Sequence, residues 1–348
     1  MMDLFQDIAI PIAWPDQTAR GDEAWMAFFK KIGVVKNLNF KVGHAAIVLV
    51  ERSTGEMKYY DFGRYLSPRG YGRARSASFD PRLRLDTKAK WNLDGSLSNL
   101  EKLLAELKDK EGATHGGGRL LCSLAQDISF KKAAEYAEKL VSTGVIKYGA
   151  LAPENNSCSR YVAQILTVGM QLQDRRIKKI LYPESLKASP TSNVVNASSN
   201  AKIICFEDGV IHEWKLNRWE SLWFQIKLLK PNFFSKEALK LPKDVNLGYI
   251  QEPNRLSTLP DTAQWIGGMG EGCWFSIKNL DSHYEIQRFS IHGEIDYAVM
   301  ANPNIAFDAE IPFSFTFDIQ HHRHILEQNG RKIVFNTHQE LQEIKMTI

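Results

Sequence analysis

Cysteine is scarce in this sequence. Four residues among 348, at positions 122, 158, 205 and 273, are too few and too scattered for a disulfide framework. None stands in a CxxC pair, so a structural zinc site is not expected and the thiols should be free. Long apolar runs are missing too. Beyond the N-terminus the longest is about "AAIVLV", far short of the ~20 residues that cross a bilayer. The first seventeen residues, "MMDLFQDIAIPIAWPDQ", lack the basic start of a secretory signal and hold two prolines. The expectation is a soluble, cytoplasmic chain unless a signal-independent route exports it. Charge of neither sign dominates, and a net charge of +4 is too small to argue for nucleic acid. A GxSxG nucleophile elbow is absent, so "THGGGRLL" at 114–121 reads as a flexible approach to a strand rather than a lipase-type oxyanion loop. "WIGGMGEGCWF" at 265–275 lacks the GK[ST] ending of a phosphate loop, which leaves a tight or ligand-lining turn.

What is present describes an ordinary globular protein, 44% hydrophobic and 24% charged, long enough for two domains. "RGDEAWMAFFKKI" at 20–32 has the spacing of a helix with one buried face. "GHAAIVLVE" reads as a central strand, apolar on both faces, and "EMKYYDFGRY" as its returning partner across the turn "RSTG". A leucine-lined helix over 96–109, a strand at "RLLCSLAQ" and a helix from about Phe130 to Gly144 follow. "KASPTSNVVNASSN" at 187–200 has no helical period and reads as a linker or long surface loop. Past it comes a helix around "LNRWESLWFQIKLL". Residues 270–337 then carry aromatic and β-branched residues in alternation, and "ILEQNGRKIVF" signals a type I′ hairpin. The expected fold is α+β: a first domain over 1–190 with an antiparallel sheet and packed helices, then a β-rich domain over 201–348.

The segment 64–90 holds eight basic residues against Asp80 and Asp86. A solvated basic loop is the plain expectation. The sharper one is a surface that draws an anionic substrate.

One cysteine is placed to react. In "ENNSCSRYVAQIL", Tyr161, Val162, Ile165 and Leu166 form an apolar stripe, and Cys158 projects toward the same face from the first turn. Ser157 or Asn156 caps the helix. The unpaired N–H groups and positive helix end then favour a thiolate. The competing reading is a small buried hydrophobe at an ordinary helix start. His44 shifts the balance. If the hairpin turn centres between Ser53 and Thr54, residue 46 opposes 61, and Asp61 shares a sheet face with His44 one diagonal step away. An odd register shift would turn Phe62 inward instead. A carboxylate there can fix the imidazole tautomer and leave the other ring nitrogen to take the thiol proton.

A histidine opening a strand, a polar residue on the next strand and a cysteine heading a later helix in "NNSCSRYV" resemble the permuted papain-like group. That group includes lecithin–retinol acyltransferase-like enzymes and permuted NlpC-type cell-wall amidases. The resemblance spans roughly residues 35 to 170, in the order His44, Asp61, Cys158. It implies Cys158 as nucleophile, His44 as base and Asp61 as orienting acid.

Two rivals rank lower. His212 in "EDGVIHEWKL" follows Cys158 in the unpermuted order but has no acid partner at the right parity on the next strand. "HHRH" at 321–324 offers His322 and His324 to a zinc ion, yet no third ligand is suggested, so an exposed histidine cluster is the plainer reading. No metal or cofactor is called for. The function expected is a cysteine hydrolase, an amidase or peptidase acting on cell-wall or other peptides. An acyltransferase or thioesterase on lipid-like esters is the alternative, and a binding protein with a vestigial site the third. The partner expected is a peptide or acyl-bearing small substrate, with neither nucleic acid nor a membrane span.

Overall fold

The computed structural model describes residues 5–21, 24–149, 154–244 and 248–337. Two antiparallel sheets dominate, one of nine strands from the first part of the chain and one of seven strands from Gln264 to Thr337. At the centre of the first lie β1 (Asp7–Trp14), β2 (His44–Val50), β3 (Met57–Gly63) and β4 (Tyr71–Arg75), adjacent in that order. β2 is buried on both faces beyond His44, as its uninterrupted apolar run requires. The residues ahead of the linker-like stretch also hold a surprise: β1, unrecognised from its sequence, is a fully buried central strand despite Pro11. That proline falls between the pairings Ala9–Ala125 and Ile12–Cys122, where the neighbouring strand is interrupted. A missing N–H is tolerated at such a break.

Helices α1 (Phe130–Thr143) and α2 (Cys158–Gly169) cover one face of this sheet. Ser129 caps α1 and Gly144 ends it. Ala45, Ile47 and Leu49 of β2 pack there with Tyr161, Val162, Ile165 and Leu166 of α2. Ala46, Val48 and Val50 point to the other face and join Tyr59 and the leucines of the helix Leu100–Asp109.

Residues 187–200 are not a linker. Pro190–Ala197 form helix α3, buried at every position, started by Pro190 and by a capping box between Ser189 and Ser192. Its small polar side chains suit a helix wedged between others: Asn193 Nδ2 donates to the Ser159 carbonyl at 2.7 Å, and Ser123 Oγ donates to that of Val194 at 2.7 Å. Beyond α3, strands Lys202–Glu207 and Val210–Lys215 join the first sheet through Leu120–Cys122. The boundary expected at 201 therefore cuts through that sheet, and the β-rich unit begins farther along the chain. Its hairpin at Asn329–Gly330 has both turn residues at positive φ, 52° and 71°, as a type I′ turn needs. The two sheets are not isolated from each other, since one apolar cluster contains Phe62, Ala137 and Val162 together with Phe275, Ile319 and Phe335.

Three smaller expectations change. The helix at Ala24–Lys31 leaves Trp25, Phe28 and Phe29 exposed rather than burying one apolar face. His324 is fully buried, with Nε2 3.3 Å from the Tyr297 hydroxyl, while His321 and His322 occupy the preceding turn; the histidines are no exposed cluster on one strand. The arginine-rich segment is only partly a solvated loop: Arg69, Arg84, Lys88 and Lys90 are exposed. Arg73 and Arg75 are buried, Arg73 donating to the carbonyls of Ile319 and Phe317 in the β-rich unit. Arg73 and Arg75, spent on internal carbonyls and carboxylates, are not part of any surface for an anion. Among the described residues, no helix is long and apolar enough to cross a membrane.

Candidate active site

The hairpin register brings the sequence-selected residues together. Ala46 opposes Asp61, so His44 and Asp61 share a sheet face on neighbouring strands, and His44 Nε2 lies 3.4 Å from Asp61 Oδ2. His44 is the first residue of β2, at the strand end where both faces can be reached. Trp14, directly opposite on β1, stacks on the imidazole at 5.7 Å between centroids and 12° between planes. Helix α2 begins with Cys158 behind the cap Ser157, whose hydroxyl accepts from the N–H of Arg160. Cys158 interacts electrostatically with the His44 imidazole and with the Ala45 backbone, and its Sγ lies 3.7 Å from the Ser159 hydroxyl. Asp61 and Tyr65 both approach Nε2, so Nδ1 is the ring nitrogen left for the thiol. The thiol is partly accessible, and 12% of the His44 side chain is exposed.

Charge in this cluster is arranged to hold an ion pair. Burial alone would lower the His44 pKa, but the hydrogen bonds to Asp61 and Cys158 overcome it and raise the value to about 9. Burial alone would raise the Cys158 pKa, yet the His44 hydrogen bond and charge hold it below the ordinary thiol value. Both shifts favour a thiolate beside an imidazolium.

Residues that sequence reasoning passed over complete the site. Arg75 pairs directly across the sheet with Asp61 and grips it in two hydrogen bonds, Nε to Oδ1 at 2.9 Å and Nη2 to Oδ2 at 2.6 Å. The Tyr59 hydroxyl donates to Oδ2 at 3.0 Å. Burial would raise the Asp61 pKa, but the Arg75 charge lowers it, so the carboxylate stays ionised. Tyr65 places its hydroxyl 3.1 Å from His44 Nε2, closer than Asp61 does. Gly63 makes this possible: a Cβ there would lie 2.3 Å from the Tyr65 ring. The Arg75 guanidinium lies 3.5 Å from the centroid of that ring on one contact, and His115 stacks on it at 4.9 Å. His115 belongs to the "THGGG" stretch, which therefore lies beside the site after all. The spacing of Arg75 from Asp61 on a third strand was the one available signal for it.

The rival His212 lies on the edge strand Val210–Lys215, opposite Cys205. Among the described residues no group of three or more His, Cys, Asp or Glu is placed to hold a metal ion.

The remaining cysteines differ sharply from Cys158. Burial pushes Cys122 up to about 12, Cys205 to about 11 and Cys273 to about 12. Brief iodoacetamide treatment of the folded protein near pH 7 should therefore label Cys158 first, read by peptide mass mapping. Equal labelling at any of the other three would remove the distinction.

Comparison with known proteins matches two separate stretches of the chain. Residues 9–175 match the family described as type VI secretion system effector TseH-like, and residues 263–338 match the DUF6695 C-terminal domain. The first match contains His44, Asp61 and Cys158; the second coincides with the seven-stranded sheet. A crystal structure of the type VI secretion system effector TseH is 16% identical, with a TM-score of 0.41, over 60% of this chain and 98% of that chain. No curated protein matches the chain.

Proposed function

We propose that the chain is a cysteine hydrolase that cleaves an amide bond through an acyl-enzyme on Cys158, with peptides, cell-wall peptides foremost, as substrates. The observation that carries this reading is the placement of Cys158 at the head of α2 and of His44 beside Asp61, 3.4 Å away, with the imidazole and thiol interacting electrostatically. In the first half-reaction the thiolate sulfur attacks the carbonyl carbon. The imidazolium of His44 then gives its proton to the departing amine nitrogen as the C–N bond breaks. In the second, His44 takes a proton from water, the hydroxide adds to the thioester, and the acid leaves as the sulfur regains its charge. Asp61 keeps the imidazole oriented and compensates its charge. The positive end of α2, where Cys158 stands, can support negative charge developing on the carbonyl oxygen.

The match of residues 9–175 to TseH-like type VI secretion effectors supports the reading, and it favours that secretion route over retention in the cytoplasm. It weighs against a vestigial binding site only through the geometry, because the thiolate–imidazolium pair is a reactive arrangement.

Its pH dependence is a direct test. Iodoacetate is an anion, so its reaction needs the thiolate and is helped by the neighbouring imidazolium. The His44 pKa of about 9 means the imidazolium is present below that value and lost above it. Alkylation of Cys158 should rise below the ordinary thiol pKa, as the depressed thiol ionises, and fall again around pH 9. A single rising limb near the ordinary thiol value of about 8.5 would overturn the pairing. Digestion of peptidoglycan-derived peptides, followed by mass spectrometry, would then identify the bond cleaved.

A further inference from the structure

We propose that the β-rich unit completes the catalytic centre, with Glu271 as a positioning residue that fixes Arg75 and His115 behind Asp61, Tyr65 and His44. This deepens the hydrolase reading and rests on it.

The glycine-rich stretch around 267–272 is where the two units meet closest to the site. Gly270 donates its N–H to the Arg64 carbonyl at 2.8 Å, and Glu271 forms a parallel bridge with Tyr65. A Cβ at Gly268 would lie 2.9 Å from both the Arg64 carbonyl and the Leu66 nitrogen, so glycine lets this backbone sit directly on the segment that carries Tyr65. Glu271 is thereby pressed into the interface, 6% exposed.

Its carboxylate faces two ways. Oε1 accepts from Arg288 at 2.7 Å and Arg82 at 3.0 Å, and these arginines are held in turn by Asp80 and Asp296. That side anchors the residue. The same oxygen also lies 3.6 Å from His115 Nε2, and the second oxygen, Oε2, lies 3.8 Å from Arg75 Nη1. Oε2, Arg75 Nη1 and His115 Nε2 are buried atoms without a hydrogen-bond partner. An anion needed only to bind Arg82 and Arg288 has no reason to aim its second oxygen at an unpaired guanidinium nitrogen. At such distances in a buried setting the interaction is an ion pair, and it acts through charge.

The consequence for His44 has a definite sign. Arg75 is shared between two carboxylates, Asp61 and Glu271, so together they leave net negative charge to hold the imidazolium. Removing the charge on Glu271 turns Arg75 wholly toward Asp61. Less of the Asp61 charge then compensates His44, and the imidazolium loses its proton at lower pH. His115 and Tyr65 also lose the backing that keeps their stacked pair against His44.

The test is the iodoacetate pH profile of Cys158 in the full-length chain. Glu271→Gln should move the alkaline limb down by roughly one pH unit, the scale of one charge acting across a buried neighbour. Glu271→Asp, which keeps the charge but withdraws it by one methylene, should move it the same way by less. Asp296→Asn, which removes equal charge from the outer side of the network, should leave the limb at its wild-type position. A bell-shaped wild-type profile with an unmoved limb in folded Glu271→Gln would overturn the inference while leaving the hydrolase reading intact. So would an equal shift in Asp296→Asn. If Glu271→Gln fails to fold, Glu271→Asp decides, and a wild-type limb there overturns the proposal. A wild-type profile with no alkaline limb counts against the thiol–imidazole pairing itself, and with it the inference.

Discussion

Cys158→Ser should lower turnover of a cleavable peptide by about 10⁴-fold or more, the loss found when a nucleophile that works as part of a unit is removed. The substitution is nearly isosteric, so its effect is chemical. A serine hydroxyl does not ionise beside His44 at neutral pH, so the favoured thiolate is lost. His44 loses one of the two groups that raise its pKa to about 9, leaving Asp61 alone in that role. Helix α2 should survive, because its cap is Ser157 and its packing comes from Tyr161, Val162, Ile165 and Leu166. Thermal melting of the variant checks this. Serine at Cys122, Cys205 or Cys273 should leave turnover near wild type in folded protein, since those thiols lie buried and protonated. A Cys158→Ser enzyme within tenfold of wild type would show that the thiol does not carry the chemistry.

The part of this site legible in the sequence is the part governed by strict local periods. A side-chain period of two and a short turn at 51–56 leave little freedom in the β2–β3 register, so Asp61 lands beside His44 once the hairpin is assumed. The apolar stripe after Cys158 fixes which way its helix faces. The Asn-Gly turn likewise announces its hairpin. What escaped notice depends on partners distant in sequence. The arginines at 73, 75 and 82 read as surface charge because the partners that draw them inward include Phe317, Ile319, Glu271 and Asp296, far along the chain, besides the nearer Asp61 and Asp80. Pro11 hides β1, because the gap that tolerates it lies in another strand. The Ser/Asn-rich composition of 187–200 suits a loop equally well until Ser159, Ser123 and Glu184 are seen to take up its polar groups. Tyr65 escaped for a subtler reason: it stands past the end of β3, and only Gly63 lets its ring fold back onto the histidine.

Asp61→Asn should have a larger effect on stability than a mere orienting role implies. Seen as the third member of a triad, Asp61 could become an amide and still accept a hydrogen bond from the imidazole. The structure gives it a second duty. Both of its oxygens accept from Arg75, Oδ2 also accepts from Tyr59, and Asp61 and Arg75 are fully buried. A neutral amide leaves the guanidinium with Glu271 as its remaining carboxylate, at 3.8 Å. Breaking one side of a buried pair costs about 3–5 kcal/mol, which should appear as a clear fall in melting temperature. Tyr59→Phe, which removes one neutral donor from the same oxygen, should cost only about 1 kcal/mol. The titration moves as well. Asp61 is one of the two groups that raise His44, so the alkaline limb of Cys158 alkylation should fall below pH 9 in Asp61→Asn. Because a raised histidine pKa contributes stability that is full below the unfolded value of about 6.5 and lost as pH rises through about 9, the stability gap between wild type and Asp61→Asn should narrow across that window. Urea melts at pH 6 and pH 9.5 measure this directly. An Asp61→Asn protein with wild-type stability at pH 6 would mean that Asp61 does not hold Arg75 and His44 together.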